Sequence, residues 1–402
     1  MKTLIAALAA ALGLAAGALP PAASRAGDWQ ETLQEARGQT VYFHAWGGDE
    51  RTNAFLAWLG GRLETGQGVT LRQVKLSDTA EAVARVVAEK AAGRDEGGAV
   101  DLIWINGPNF AAMKAQGLLQ GPFVADLPNA RWLDLSPGSA NTVDFTVPVE
   151  GLESPWRLAK FVFTYDTARI GAPPARMADW PDWAAAHPGR ITHPDPSNFM
   201  GATFLKQALI ELAPAGTDLS VPPGDDSYGA ATAPLWQWYE ALRPHLWRDG
   251  TAFPANEFAQ RQLLNDGEVD LAMSFDPASA AAAIRDGLLP DTVRVHVPAP
   301  GSIGNVSFVA IPYNAAHAAG ARVVANALLD PQVQAHMQDI DVLGSFSVLD
   351  PARLDEAGQA AFAALPQDPA LPALEDLGAV LPEPDPAWMT RLTADWQQRY
   401  AR

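Results

Sequence analysis

The run VYFHAWGGDERTNAFLAWL, from Val41 to Leu59, passes from a short apolar stretch to a pair of glycines and then to apolar residues at helical spacing. Val41 to Ala45 is long enough for a buried strand, Trp46-Gly47-Gly48 ends it, and Phe55, Leu56, Leu59 and Leu63 share one face of a helix beginning at Glu50. The same succession follows twice more. Val69 to Leu76 is strand-like, and Asp78-Thr79-Ala80-Glu81 is a capping-box pattern opening a helix whose Val83, Val86 and Val87 share a face. Val100 to Ile105 is a continuous apolar run, broken by Asn106-Gly107-Pro108-Asn109 ahead of a helix that ends at Gly117. Three strand-then-helix units in a row predict a parallel sheet covered on both faces, hence an α/β protein.

A second α/β series begins after Pro148. It contains a strand from Lys160 to Tyr165, Arg190 to Thr192 leading into His193-Pro194-Asp195-Pro196, and helices from Met200 to Leu212, around Leu235 to Leu242 and from Glu257 to Leu264. A strand from Val269 to Phe275, a helix from Pro277 to Asp286 stopped by Gly287, and a strand from Thr292 to Val297 complete it. Ser307 to Ile311 and the helical Ala315 to Leu329 read as a return to the first series. At the end, Trp388, Leu392, Trp396 and Tyr400 recur one turn apart, which predicts a docked amphipathic helix from Ala387, with proline-rich Leu365 to Pro386 as its linker.

Composition narrows the function. The 402 residues carry 46 acidic and 28 basic side chains, a formal charge of −18, and no cysteine. Such a length fits two lobes, and 48% apolar with 18% charged residues is a globular balance. A pI near 4.7 opposes a nucleic-acid binder, which needs a basic face to displace counterions. Without cysteine there is no disulfide framework, zinc-thiolate site, iron–sulfur cluster or thiol nucleophile. The seven histidines lack metal-ligand spacing, so neither metal nor cofactor is expected. Phosphate-loop, H-E-x-x-H, G-x-S-x-G and S-x-x-K patterns are all missing from the sequence, and no catalytic residue is assigned. Met1-Lys2 followed by apolar Thr3 to Leu19, with small residues between Ala18 and Ala26, reads as a secretory signal peptide over residues 1–26, with a retained N-terminal anchor as the rival. A soluble periplasmic protein is the expectation.

In open α/β sheets, ligands bind beyond the carboxyl ends of the strands. The turns that matter are therefore Trp46 to Asp49, Asn106 to Asn109, and Ser274 to Asp276. Trp46 beside two glycines favours a ligand contact over packing. Asn106 and Asn109 also suit turn formation and capping. Phe275-Asp276-Pro277 reads first as an N-cap with proline at the first helical position, and second as a ligand carboxylate. Ser197-Asn198-Phe199-Met200-Gly201 lies at a helix N-terminus, where capping and a grip on a polar ligand are equally open.

The stretches VYFHAWGGDERTNAFLAWL from Val41, VDLIWINGPNF from Val100, ESPWRLAKFVFTYD from Glu153 and IGNVSFVAIPYNA from Ile303 resemble extracellular solute-binding proteins of ABC importers, most of all the YnjB type, described as a thiamine-transport component. The resemblance implies a two-lobed type II periplasmic-binding-protein fold with a hinge and an inter-lobe ligand cleft. Crossings are expected near Glu153 to Lys160, Pro298 to Asn305 and Leu343 to Leu349. Lobe 1 would comprise 27–152 plus 300–345, and lobe 2 would comprise 153–299 plus 346–402. Trp46, Gly47, Gly48, Asp49, Trp104 and Asn106 would then face Ser197, Asn198, Phe199, Gly201, Phe275 and Asp276 across the cleft, with Pro155, Trp156 and Asn305 at the hinge. The implied function is delivery of a small polar, cationic aromatic, thiamine-like ligand by a monomer to membrane permease subunits. A neutral sugar or polyol is the alternative, since sugars also stack on tryptophan. A secreted hydrolase is the second alternative, and dispersed tyrosines disfavour a ferric-ion carrier.

Overall fold

In the first sheet β1 (Thr40–Trp46) runs parallel to β2 (Thr70–Leu76), the edge strand, on one side and to β3 (Leu102–Ile105) on the other. Helices Glu50–Gln67, Ala80–Ala91 and Gly107–Ala115 follow these strands in turn, the last beginning inside the expected Asn106–Asn109 break. The structure is a computed structural model that describes residues 22–105, 107–299, 301–372 and 374–401. Asn106 and most of the expected signal peptide therefore lie outside the described residues. Among the described residues no helix is long and apolar enough to cross a membrane.

After a short hairpin of β4 (Val143–Asp144) and β5 (Val147–Pro148), the chain enters β6 (Glu153–Lys160) and, past Phe161, β7 (Val162–Asp166). β7 is the middle strand of a second, antiparallel sheet, flanked by β8 (Leu271–Ser274) and β9 (Val293–His296). β10 (Gly301–Ala310) then runs back into the first sheet, antiparallel to both β3 and β6. The two crossing strands are thus paired with each other, from Gly304 opposite Lys160 to Ala310 opposite Glu153. The expected strand from Lys160 to Tyr165 is really the junction of two strands, because the chain passes between sheets at Phe161, whose N–H reaches the Ile303 carbonyl at 2.7 Å.

The β6–β10 ladder slips once. Ser307 faces Arg157 but Phe308 faces Pro155, leaving Trp156 as an extra residue. This is a β-bulge, and Pro155, which has no N–H to donate, is suited to it. The Trp156 carbonyl accepts instead from Gln334 Nε2 at 2.6 Å. Gln334 also bonds Val348 N–H and Ser347 Oγ, and Leu158 N–H reaches the Phe346 carbonyl at 2.9 Å, so a third crossing segment is tied to β6.

Two main cores result. One packs Val41, Phe43, Ile103 and Phe308 under Phe55, Leu59 and Val324; the other gathers Phe163, Trp180, Phe204 and Tyr239 around Trp388 and Trp396 of the terminal helix Pro386–Tyr400. Val348, Leu349 and Leu354 belong to the first core, whereas the expected division assigned everything after residue 345 to the second lobe. The proline-rich stretch is more than a linker. It holds β11 (Ala379–Leu381), parallel to β10, and Glu383, which is buried and paired with Lys206 at 2.5 Å. A three-residue strand has no period to read, and prolines around it read as loop.

Trp396 is 1% exposed and stacks edge-on against Phe253 at 5.0 Å. Trp396→Ala is expected to lower stability by about 3–5 kcal/mol in urea unfolding, the usual cost of deleting a large aromatic from a core.

Candidate functional site

The carboxyl ends of β1 and β3 open onto a cleft of 590 Å³, closed on the other side by the N-termini of the helices Phe199–Leu212 and Glu257–Asn265 and by the Ser274 to Asp276 turn. β6 and β10 form its floor, contributing Arg157, Ala159, Asn305 and Ser307. An adjoining pocket of 300 Å³ shares Trp46, Arg157, Glu257 and Asp276 with it.

The aromatic wall is built outward from the first core. Trp156 is fully buried, stacks on Phe55 and meets Trp104 edge-on at 5.1 Å; Trp104 in turn meets Trp46 edge-on at 6.4 Å. Gly48 permits the outermost step, since a Cβ there would lie 2.4 Å from Trp46 Cζ2. Gly47 does the same for Lys75, whose Cβ would be 2.6 Å away. Opposite, Phe199 is 39% exposed and packs edge-on against Phe275 at 5.1 Å.

The polar groups divide into those already engaged and those that are not. Asp49 caps its helix, its carboxylate accepting from Arg51 N–H, Thr52 N–H and Thr52 Oγ1. Asn198 accepts from Met200 N–H through Oδ1, and Asn256 from Ala259 N–H. Asp78 accepts from Ala80 N–H, while Glu81 takes Ser77 and Asp78 N–H, which realises the expected capping pattern at the cleft edge. Asp276 is shared: Oδ1 accepts from Ala278 N–H, and Oδ2 accepts from Arg157 Nη2 and Ser345 Oγ, each at 3.2 Å. Burial raises its pKa above the ordinary carboxylate range despite the opposing Arg157. Glu257 lines the same cleft as this pair, and its carboxylate has no hydrogen bond or ion pair among the described residues. Burial, reinforced by Asp276, pushes its pKa up to about 7.

Of the residues expected from sequence, Trp46, Trp104, Asn198, Phe199, Phe275, Asp276 and Asn305 come together in the cleft. Asp49 lines the adjoining pocket instead. Gly47 and Gly48 shape the wall without lining it. Pro155 and Trp156 are buried in the bulge, and the side chain that reaches the cleft floor is Arg157. Ser197 is exposed and bonded to Asp195 Oδ1 at 2.7 Å. Gly201 is a packing glycine: a Cβ would come within 2.1 Å of the Pro194 carbonyl oxygen. Arg157, Glu257, Asp78 and Asn256 went unread as site residues. Alternation along β6 from buried Trp156 offered a signal for Arg157; Glu257 looked like any acid in a first helical turn. Among the described residues no histidine lines either pocket, so the hydrolase reading gains no Ser–His–Asp set there.

A two-lobed α/β frame with a cleft across its crossing strands is the architecture of a binding protein, and residues 58–373 match the family model for bacterial extracellular solute-binding proteins. The chain belongs to that family. It is 41% identical over 379 residues to Protein YnjB of Escherichia coli strain K12, covering 94% of this chain and 95% of that one. Similar solved structures include the spermidine/putrescine transporter substrate-binding protein PotD of Streptococcus pneumoniae (TM-score 0.62, 14% identity, covering 90% of this chain and 98% of that one). They also include the periplasmic binding protein AfuA of Actinobacillus pleuropneumoniae with fructose-6-phosphate bound (TM-score 0.58, 14% identity, covering 90% and 99%). At these identities the likeness speaks for the fold, which is that of the periplasmic binding proteins.

Two predictions follow from the geometry. Gly48→Ala displaces the Trp46 indole, expected as a shift in tryptophan emission and a loss of ligand affinity in the same variant. For Glu257, a folded pKa of about 7 against 4.5 for the ordinary side chain means that ionisation opposes folding, a cost absent below pH 4.5 and complete above pH 7. Glu257→Gln should therefore raise the melting temperature of the empty protein at pH 8 and leave it nearly unchanged at pH 4.

Proposed function

We propose that this protein is a periplasmic, monomeric solute-binding protein, exported by cleavage of residues 1–26, that captures a small cationic aromatic solute of thiamine-like chemistry and delivers it to the permease subunits of an ABC importer. The observation that carries the reading is the placement of the Trp46 and Trp104 indoles in one cleft with the carboxyl groups of Asp78, Glu257 and Asp276, against one cation, Arg157, among the described residues that line it. A cationic ring over an indole gains about 0.5–2 kcal/mol from the ring quadrupole, and more with a carboxylate nearby. Arg157 is already committed to Asp276, so the excess of acid falls to the solute to balance. Closure about the three crossing segments would strip water from the solute and strengthen these contacts.

A neutral sugar or polyol is the second reading, favoured by the amides of Asn198, Asn256 and Asn305 along the same walls. The capping bonds of Asn198 and Asn256 use one oxygen each and leave the amide nitrogens for such a ligand. The related fold carries a sugar phosphate in the Actinobacillus protein and serves a polyamine transporter in the Streptococcus protein, so it accommodates either chemistry.

A thermal-shift screen of the mature protein against thiamine, its phosphates, polyamines, choline, sugars and polyols separates the two. A ligand at 100 times its Kd stabilises the native state by about 2.7 kcal/mol. Thiamine or another organic cation is expected to give the large shift; a shift with a sugar and none with any cation rejects the cationic reading. Trp104→Ala is expected to weaken the identified ligand at least tenfold.

A further inference from the structure

Resting on the cationic reading above, we propose that Glu257 is the specificity-determining residue of the cleft, and that it selects positive charge by giving up its own proton to solvent as the cationic solute arrives. Its place in the helix Glu257–Asn265 does not require a carboxylate. Asn256 already caps that helix, its Oδ1 accepting from Ala259 N–H at 2.9 Å. Glu257 lines both the main cleft and the adjoining pocket, so it stands at the boundary between them. Its carboxyl group is unbonded among the described residues, whereas Asp49, Asp78 and Asp276 are each held by backbone N–H groups.

The charged groups facing Glu257 account for this. Asp276 and Asp49 oppose its ionisation, and Arg261 and Arg157 favour it, while Glu50, Arg51 and Asp286 share the adjoining pocket with it and Asp78 the main cleft. Arg157 is paired with Asp276 at 3.2 Å and lies 5.7 Å from the Trp104 ring centre, so its charge is already used. Arg261 makes no ion pair among the described residues and lies over the Phe258 ring at 5.3 Å. A half-buried carboxyl that faces Asp276 and Asp49 and has no hydrogen-bonded cation among the described residues is most cheaply neutralised by a proton, and burial brings its pKa to about 7. A solute cation entering the cleft supplies the missing charge. The carboxyl O–H bond then breaks as a new O–H bond forms to a water molecule, the resulting hydronium passes the proton to buffer, and the carboxylate remains as counter-ion with no covalent bond to the solute. A cation finds a partner prepared for it, while a neutral solute meets a carboxylic acid that serves it only as a hydrogen-bond donor.

The test is isothermal titration calorimetry of the mature full chain, wild type and Glu257→Gln, with thiamine and choline as cationic probes and maltose as a neutral one, at pH 6 and pH 8. Each titration is run in two buffers of different ionisation enthalpy. Wild-type affinity for the cation should rise about tenfold from pH 6 to pH 8, the change in ionised fraction for a group titrating near 7. Close to one proton should be released per cation bound at pH 6. In Glu257→Gln the cation should bind at least tenfold more weakly at pH 8, with neither pH dependence nor proton release. Cation binding that is flat with pH in the wild type, or equally tight in the variant, overturns the role of Glu257 and leaves the cationic reading standing. Binding of maltose and of neither cation overturns both. The wild-type pH profile decides the matter even if the variant is poorly folded.

Discussion

The antiparallel pairing of the two crossing strands, β6 and β10, is the constraint on which the rest depends. β6 carries the chain from the first sheet toward the second and β10 brings it back, and their shared ladder from Lys160 to Glu153 fixes the spacing of the lobes before any ligand contact is made. The bulge at Trp156 then sorts adjacent side chains into different environments. The indole enters the first core against Phe55 and Trp104, and the next residue, Arg157, reaches the cleft floor. A regular ladder would place neighbours on opposite faces too, but with Pro155 one position out of step; the extra residue keeps proline where no ladder donor is required.

Arg157 connects this frame to the second lobe through Asp276, which Ser345 of the third crossing also holds. The pair is largely buried, with side chains 14% and 22% exposed, so desolvation offsets much of its attraction and its value lies in register more than in stability. With those two charges spent on each other, Glu257 is left as a cleft carboxyl with no hydrogen bond or ion pair among the described residues. The acidic composition of the whole chain is a poor guide to this, because binding is decided by the few groups inside the cleft.

Much of the fold was legible because its elements announce themselves locally. The β1 to β3 units alternate apolar runs with 3.6-residue periodicity, and the observed boundaries differ from the expected ones by a few residues. The terminal helix was legible from four aromatic and aliphatic residues one turn apart, all of which are buried. Turn chemistry was equally readable: Asn198 and Asp276 accept the N–H bonds that their positions suggested. What escaped was whatever depends on a distant partner. Glu383 gave no hint of Lys206, 177 positions away. Nor does the sequence show that Trp156 turns inward, because the bulge that sends it there exists only opposite β10.

By itself the sequence determined an α/β chain in two series, the glycines beside Trp46, the helix caps around the future cleft and the absence of any thiol chemistry, since each follows from covalent structure and local sterics. The tertiary structure alone decided which of the capped turns face one another, that Arg157 and not Trp156 reaches the cleft, and that Glu257 is half-buried there without an ion pair among the described residues. These are properties of desolvation and of charge pairing across long sequence separations, and they come into being only when the crossing strands bring the two lobes together.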